Sequence, residues 1–265
     1  MSSRYTATDP AAYERLMGRW SPLLARELIA FAGLAAGERV LDLGCGTGSL
    51  ALALAARAEP REIVGIDIAQ PYLDFAAART TDPRLRFVRG DGVALELPDG
   101  GFDRALSLIA LNFMSAPARA VAEIRRVTRA GGVVAAAVWD FAGGLVYQRI
   151  FWDTAAALDG DADAARARQY SSPLTHEGEL AAAFRAAGLR EVEARPLSSR
   201  MHYADFADYW QPIADAQGPV GDYVKRLAAE RLARLAQALE RAYRCGGADG
   251  PRSMAATAWA AKGRV

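Results

Sequence analysis

The chain contains few of the residues on which disulfide frameworks, metal centres and histidine catalysis depend. Its 265 residues include two cysteines and two histidines. Cys45 and Cys245 lie far apart and belong to no spaced set, so the sequence predicts neither a disulfide framework nor a metal site. Residues 1–10 lack the apolar core of a secretion signal. We therefore expect a protein of the reducing cytoplasm.

An excess of one charge and long apolar runs are also missing. Lys and Arg number 32 against 31 Asp and Glu, a formal net charge of +1. This balance gives no overall attraction to nucleic acid or to anionic membranes. No apolar run approaches the roughly 18 residues that a membrane span requires. We expect one globular domain whose partners include neither nucleic acid nor a membrane.

Short apolar segments that alternate with amphipathic ones predict an α/β fold with helices on both faces of a sheet. Helices are expected to start near residues 48, 70 and 117. Strands are expected near 38–43, 62–67, 85–89, 102–108, 132–139, 191–197 and 253–261. The pattern predicts a seven-stranded, mostly parallel, Rossmann-like sheet.

A helical segment precedes this alternation. Residues 1–35 are expected to form an N-terminal helical lid, and residues 36–265 the main domain. Asp9-Pro10 and Ser21-Pro22 are typical helix starts, with a capping side chain before a proline. Thr175 is expected to cap a later helix that ends at Gly188.

Two helical insertions, near 142–172 and 204–245, interrupt the alternation late in the chain. Ligands of open α/β sheets bind at the carboxyl edge of the strands, so the insertions are expected to cover that edge and select the substrate. The amphipathic segment 221–244 equally fits a covering helix or a dimer face. We therefore expect a monomer or a homodimer.

A glycine-rich turn follows the first strand, in Val40-Leu41-Asp42-Leu43-Gly44-Cys45-Gly46-Thr47-Gly48. Three glycines at alternate positions let the backbone turn sharply and pass close to a ligand. Asp42 places a carboxylate beside this turn. A carboxylate suits a ligand with an ammonium group and ribose hydroxyls, and it repels the pyrophosphate of a dinucleotide.

Two further strands also end on a carboxylate. Asp67 follows the apolar run Ile63-Val64-Gly65-Ile66, where the second strand of a doubly wound sheet offers an acceptor for both hydroxyls of a ribose. Asp91 follows the third strand, in Gly90-Asp91-Gly92, and is expected to meet an adenine amino group.

These motifs resemble those of the class I S-adenosylmethionine-dependent methyltransferases, specifically the small-molecule group related to ubiquinone and menaquinone biosynthesis enzymes. Arg129-Ala130-Gly131-Gly132 resembles the turn before the family's fifth strand, with Ala130 in place of the usual proline. The remaining matches are Phe102-Asp103, Met17-Gly18-Arg19-Trp20-Ser21, Val138-Trp139-Asp140 and Ala258-Trp259-Ala260. The resemblance implies in-line transfer of a methyl group from S-adenosyl-L-methionine to a small-molecule acceptor, which leaves S-adenosyl-L-homocysteine.

The resemblance also implies a cofactor site built from the glycine turn and the ends of the strands. Arg19 is expected to bind the methionine carboxylate, with a solvated arginine as the alternative. The expected cofactor-binding residues are Arg19, Asp42, Gly44, Gly46, Thr47, Gly48, Asp67, Ile68, Asp91, Gly92 and Leu108.

Candidates for catalysis are few. Asn112 follows the fourth strand, where these methyltransferases present groups to the acceptor, and is expected to orient it by hydrogen bonds. The alternative is a loop asparagine that satisfies the local backbone. His202 is the candidate general base, at the start of the second insertion, whereas His176 is expected to be structural.

Aromatic residues outside the sheet are expected to line the acceptor pocket. Trp20 and Trp210 are the candidates for substrate binding. Trp139 and Trp259 belong to strands and are expected to pack in the core.

Two other functions fit part of the pattern. Gly46-Thr47-Gly48-Ser49-Leu50-Ala51 satisfies the loose G-x-G-x-x-A fingerprint of an NAD(P)-dependent oxidoreductase. However, no Tyr-x-x-x-Lys pair is present, and Asp42 and Asp91 would then have no role. A non-catalytic protein that binds S-adenosylmethionine is the other alternative, because methyl transfer requires no diagnostic catalytic residue.

Overall fold

A seven-stranded sheet forms the centre of the computed structural model, which describes residues 8–57 and 59–265. The strands are β1 (Arg39–Leu43), β2 (Glu62–Asp67), β3 (Leu85–Arg89), β4 (Phe102–Leu108), β5 (Thr128–Trp139), β6 (Arg190–Tyr203) and β7 (Arg252–Arg264). Their order across the sheet is β3-β2-β1-β4-β5-β7-β6, and β7 is antiparallel to both of its neighbours. The predicted α/β fold is confirmed.

Helices cover both faces of the sheet. They are α1 (Pro10–Tyr13), α2 (Ser21–Ala32), α3 (Ser49–Arg57), α4 (Gln70–Ala78), α5 (Pro117–Val127), α6 (Val146–Leu158), α7 (Gly160–Tyr170), α8 (Glu179–Ala186), α9 (Phe206–Ala214), α10 (Gly218–Val224) and α11 (Ala229–Arg244). Within the described residues, no helix is long and apolar enough to cross a membrane.

The central strands are apolar because helices cover them on both sides. Val40 and Leu41 of β1 are fully buried, although their side chains point to opposite faces of the sheet. β1 pairs with β2 on one side and with β4 on the other, so the chain direction across the sheet reverses at this strand. A crevice opens at such a switch point, at the carboxyl ends of the strands.

The N-terminal helical segment follows the predicted starts, although the two caps differ. Asp9 accepts a hydrogen bond from the Ala12 N–H at 2.9 Å and caps α1 as expected. Ser21 begins α2, but its hydroxyl donates to the Met17 carbonyl and caps no N–H group. A π-helical turn at Glu14–Gly18 links the two helices. Residues 1–7 of the expected lid lie outside the described residues.

The late part of the chain differs from the prediction in its boundaries. The expected helical stretch near 142–172 divides into α6 and α7 at Asp159, whose side chain caps α7. β6 continues to Tyr203 because it pairs with β7 along nearly its whole length. Thr175 caps no helix, since its hydroxyl donates to the Ser172 carbonyl at 2.7 Å. The residue before α8 is Gly178.

Candidate functional site

A cavity of about 200 Å³ lies at the carboxyl edge of the sheet, beside the crevice between β1 and β4. The ends of the strands form one wall, and helical segments from three parts of the chain form the other. Most of the cofactor-binding residues expected from sequence line this cavity: Asp42, Gly44, Gly46, Thr47, Asp67, Ile68, Asp91, Gly92 and Leu108. Their contact with a cofactor stays a prediction.

The glycine turn needs its glycines for two different reasons. Gly44, Gly46 and Gly48 all have positive φ angles, of 72°, 53° and 87°. A Cβ on Gly44 would lie 2.3 Å from the Cβ of Ala110, and one on Gly48 would lie 3.1 Å from the Cβ of Ala76. Gly48 is therefore a packing position outside the cavity lining. Gly46 has its nearest neighbour at 3.8 Å, so its surface stays open for a ligand.

Asp42 is a fully buried carboxyl group with one oxygen unsatisfied. Its Oδ2 accepts a hydrogen bond from the Ala51 N–H at 3.1 Å, and its Oδ1 has no partner among the described residues. Burial raises the pKa of Asp42 to about 8, against the lowering effect of the Ala51 N–H, and the nearby charge of Asp67 adds to the rise. An unsatisfied carboxyl oxygen beside a cavity suits a ligand that carries an ammonium group.

Asp67 connects the end of β2 to the glycine turn. Its Oδ2 accepts from the Gly46 N–H and its Oδ1 from the Ala69 N–H, both at 2.9 Å. Burial raises the pKa of Asp67, while these hydrogen bonds oppose the rise. Each carboxylate oxygen has a second lone pair, so both remain able to accept a ribose hydroxyl.

Asp91 lies at the exposed mouth of the cavity. Its Oδ1 accepts a hydrogen bond from the Val93 N–H at 3.0 Å, which holds the turn after β3. The lack of a side chain at Gly92 lets this turn pack closely against Met114, because a Cβ there would lie 3.0 Å from the Met114 sulfur. Ile68 lies beside the same opening with 40% of its surface exposed, an unusual state for a large apolar residue.

The N-terminal helical segment is tied to the glycine turn through Glu14. The Thr47 hydroxyl donates to Glu14 Oε1 at 2.5 Å, and Arg79 Nη1 lies 3.5 Å from the same oxygen. The Glu14 carboxylate occupies the space beside Gly18, where a Cβ would lie 2.2 Å from its Oε1. Met17, on this segment, lines the cavity. The sequence carries no local signal for this contact.

The first insertion brings polar side chains to the cavity that the sequence reasoning missed. Gln148 of α6 and Gln169 of α7 are both more than 90% buried and both line it. The surrounding surface is apolar, with Phe113, Phe141 and Val220 among its residues. A glutamine amide does not ionise and belongs to no motif in this sequence, so composition and spacing gave no reason to select these two.

Arg19 lies elsewhere than the sequence prediction put it. Its Nη1 donates to Asp208 Oδ1 at 2.6 Å, and its guanidinium lies over the rings of Trp20 and Tyr203. Arg19 does not line the cavity. The expected contact with a methionine carboxylate stays a prediction, and in this structure the guanidinium is already paired with Asp208.

The residues expected to handle the acceptor also lie outside the cavity lining. Trp20 packs edge-on against Tyr203, with ring centroids 5.5 Å apart, and Trp210 stacks on Phe206. Both tryptophans are used in packing the second insertion and the N-terminal segment against the sheet. Their role in substrate binding stays a prediction that the cavity lining does not support.

Neither predicted catalytic residue reaches the cavity. His202 lies exposed on β6, because that strand extends past the point where the sequence predicted its end. Asn112 is 3% exposed in a short turn after β4, and among the described residues its amide has no partner. His176 lies half-exposed beside Glu179, with 3.4 Å between Nδ1 and Oε1, as a structural role predicts. Trp139 is buried as expected, but it also lines the cavity.

Comparisons with known proteins find similarity to methyltransferases. A methyltransferase domain model matches residues 41–136, from β1 into β5. The demethylmenaquinone methyltransferase of Thermus thermophilus is 39% identical over 97 residues, which are 36% of this chain and 44% of that protein. The corresponding enzyme of Roseiflexus castenholzii is 31% identical over 180 residues, which are 63% of this chain and 74% of that protein.

The chain spans about half the length of several curated relatives that it matches. Among solved structures, the phosphoethanolamine N-methyltransferase 2 of Haemonchus contortus in complex with S-adenosyl-L-methionine has a TM-score of 0.63 at 16% identity. That match covers 98% of this chain and 58% of the other chain, and it is a likeness of fold. Because the Roseiflexus relative is matched over 74% of its length and the domain model covers the strands that carry the glycine turn, the chain belongs to the class I S-adenosylmethionine-dependent methyltransferases.

Proposed function

We propose that this protein transfers the methyl group of S-adenosyl-L-methionine to a small-molecule acceptor held between the sheet edge and the helical wall of the cavity. The observation that carries the proposal is the acidic character of the lining. Asp42, Asp67 and Asp91 are its acidic residues, and among the described lining residues none is lysine, arginine or histidine. This set favours a cationic cofactor and disfavours a phosphate-bearing one. A cation beside the buried Asp42 favours the ionised form of its carboxyl group over the protonated one.

The residues fit the cofactor at the points where it differs from a dinucleotide. The unsatisfied Oδ1 of Asp42 is suited to the ammonium group, and the two oxygens of Asp67 are suited to the ribose hydroxyls. The open surface above Gly46 accommodates a ligand close to the backbone. When bound, S-adenosyl-L-methionine supplies an electrophilic methyl group, so the protein need not provide a nucleophile.

The protein's own contribution is to position the acceptor and to exclude water. Apolar side chains from the N-terminal segment and the insertions, among them Met17, Phe141 and Val220, line the wall opposite the sheet. Holding two reactants in line can supply several kcal/mol of the barrier. Among the described residues, no histidine lines the cavity. A proton on the acceptor would therefore be lost spontaneously, to solvent or to a carboxylate.

An oxidoreductase that uses NAD(P) is not favoured. The G-x-G-x-x-A match includes Gly48, which is packed against Ala76 outside the cavity lining, and the pyrophosphate would face the carboxylates of Asp42 and Asp67.

The proposal includes a setting and a set of partners. We infer a protein of a reducing compartment, the cytoplasm, because Cys45 and Cys245 are both free and the latter is exposed. A net charge of +1 supports no nucleic-acid partner. The exposed face of α11 is compatible with a monomer or a homodimer.

A thermal-shift comparison tests the cofactor. S-adenosylmethionine, S-adenosylhomocysteine and NAD are each added far above a plausible dissociation constant, where binding stabilises by about 2.7 kcal/mol at 100 times that constant. The proposal expects the two adenosyl compounds to raise the melting temperature and NAD to leave it unchanged. A shift with NAD alone would overturn it.

A turnover assay then separates an enzyme from a binding protein. The purified chain is incubated with S-adenosylmethionine and pools of small uncharged and charged acceptors, and S-adenosylhomocysteine is quantified. The proposal expects product that depends on an added acceptor and that falls in the Asp67→Ala variant. Binding of both adenosyl compounds without product from any pool would favour the non-catalytic alternative.

A further inference from the structure

A directional chain of hydrogen bonds runs through the first insertion where it borders the cavity. The Trp152 indole Nε1 donates to Gln169 Oε1 at 2.7 Å, and Gln169 Nε2 donates to Gln148 Oε1 at 2.7 Å. Gln148 Nε2 in turn donates to the Tyr147 hydroxyl at 2.9 Å. All of these bonds are buried.

The direction of this chain is fixed at its first member. An indole N–H only donates, so Gln169 must present its oxygen to Trp152 and its nitrogen to Gln148. Gln148 must then accept with its oxygen and keep its nitrogen for donation. Each amide nitrogen carries a second N–H that no described residue accepts. The chain therefore holds two amide donors in a set orientation at the cavity.

Trp139 supplies a third donor, from the end of β5. It is the last residue of β5, it is 2% exposed, and it lines the same cavity. Its indole N–H is buried and has no partner among the described residues. A buried donor without a partner costs about 1–3 kcal/mol, and an oxygen of a bound ligand would remove that cost.

Beyond Asp42, Asp67 and Asp91 at the cofactor end, no acidic or basic side chain of the described residues lines the cavity, so its remaining surface disfavours a charged ligand. It is apolar at Phe113, Phe141 and Val220, and no cationic side chain lines any part of the cavity within the described residues. An anionic acceptor would lie unpaired in a partly dry pocket that also holds the carboxylates of the cofactor end.

We propose that Gln148, Gln169 and Trp139 determine the specificity of the enzyme for an uncharged, mostly apolar acceptor that carries a hydrogen-bond-accepting oxygen, such as a ketone, ether or phenol oxygen. Trp152 is a positioning residue, because it fixes the Gln169 amide without lining the cavity itself. This inference rests on the proposed function, since it assigns the acceptor half of the same site.

Three small probes of similar size test the inference by ligand-observed NMR titration of the full chain at pH 8, with saturating S-adenosylhomocysteine. Acetophenone carries a neutral carbonyl oxygen, benzoate carries a charge, and toluene carries no oxygen. The inference expects acetophenone to bind at least about fivefold more tightly than either of the other two, the range of a neutral hydrogen bond.

Substitutions of Gln148, Gln169 and Trp139 test whether these residues produce the preference for acetophenone. Gln148→Met and Gln169→Met keep the length of the side chain and are expected to lower acetophenone affinity about threefold to tenfold, with toluene affinity changed less than twofold. Trp139→Phe is expected to act in the same direction. Gln211→Met, exposed on α9 and away from the lining, is the matched control and should bind all three probes as the wild type does.

Trp152→Phe tests the positioning role. This variant keeps an aromatic ring in the core but removes the N–H donor that orients Gln169. We expect its acetophenone affinity to fall less than that of Gln169→Met, and its toluene affinity to equal that of the wild type. If a glutamine variant fails to fold, the two tryptophan variants carry the test, because they keep the ring in place.

The outcomes separate this inference from the function on which it rests. Tight S-adenosylhomocysteine binding with no preference for acetophenone, or with a preference that survives in all four variants, overturns the inference and leaves the proposed function standing. Absence of S-adenosylhomocysteine binding overturns both.

Discussion

At the scale of single residues, Asp42 is a carboxyl group held away from water. The carboxyl is fully buried, and its pKa rises to about 8, whereas an unfolded aspartate titrates near 3.9. At a pH between these two values, the Asp42 carboxyl is protonated in the folded protein and ionised in the unfolded chain. Stability contributed by the protonated carboxyl is therefore complete below about pH 4 and is lost as the pH rises toward 8.

This difference predicts how stability depends on pH. Wild-type protein should lose stability from pH 5 to pH 8, by at most about 1.4 kcal/mol per pH unit from this group. Asp42→Asn cannot ionise, so its melting temperature should fall less over that range. Calorimetry at both pH values measures the two slopes. Asp74→Asn, an exposed position on α4, is the control and should keep the wild-type slope; parallel profiles for all three proteins would contradict the prediction.

Asp67 carries the residue-scale prediction for the cofactor. Because both of its oxygens already accept backbone N–H groups, its position is set before any ligand binds. Asp67→Ala should weaken S-adenosylhomocysteine binding by about 1.5–3 kcal/mol, the range for hydrogen bonds to a charged group. Isothermal titration measures the change, with Asp74→Ala as the control. An unchanged affinity would remove Asp67 from the site.

At the scale of elements, the N-terminal segment and the glycine turn share one carboxylate. Glu14 accepts from the Thr47 hydroxyl and lies near the guanidinium of Arg79, which itself donates to the Thr47 carbonyl at 3.0 Å. The π-helical turn that carries Glu14 has a glycine at position 18, which leaves room for the carboxylate. Extra-wide turns of this kind are frequent at functional sites.

Loss of this contact should loosen the N-terminal segment and leave the sheet intact. Glu14→Gln removes the charge, so we expect faster hydrogen exchange in residues 10–18 and a loss of about 1 kcal/mol in the free energy of unfolding. Exchange mass spectrometry measures the first effect and denaturant titration the second. Glu27→Gln, exposed on α2, is the control. Equal exchange in residues 10–18 of both variants would show that Glu14 does not hold the segment.

At the scale of the whole molecule, one cavity joins segments that are distant in sequence. Strand ends from the first half of the chain meet the N-terminal segment, the first insertion and α10 around it. We therefore expect a ligand bound in the cavity to order these elements together. α11 contributes no residue to the lining, so we expect no such effect on it.

Hydrogen exchange with and without S-adenosylhomocysteine should show this division. We expect slower exchange at residues 10–18, 44–48 and 146–170 in the complex, since bound ligand shields and orders the cavity walls. Residues 229–244 serve as the internal control and should exchange equally in both states. Protection confined to 44–48 would show that the helical segments do not respond to the cofactor.

The cofactor half of the candidate site follows from the sequence because its determinants are local. Glycines that need positive φ, a carboxylate at each strand end and the alternation of strands and helices lie within short stretches. Parallel strands bring their carboxyl ends to one edge, so residues such as Asp42, Asp67 and Asp91 must meet there. The bounds of the first four strands were predicted well for the same reason, whereas β5 begins earlier than expected and β6 and β7 are longer because they pair with each other.

The contacts that join distant segments around the sheet edge were decided by tertiary structure alone. Arg19 pairs with Asp208 across 189 positions, Thr47 with Glu14 across 33, and Gln169 with Gln148 across 21. No local pattern marks such pairs, because their energy comes from burial and from partners supplied by other elements. The sequence by itself determined the fold and the family and predicted where the cofactor binds, whereas packing of the insertions decided which polar side chains line the cavity and which aromatic residues became core.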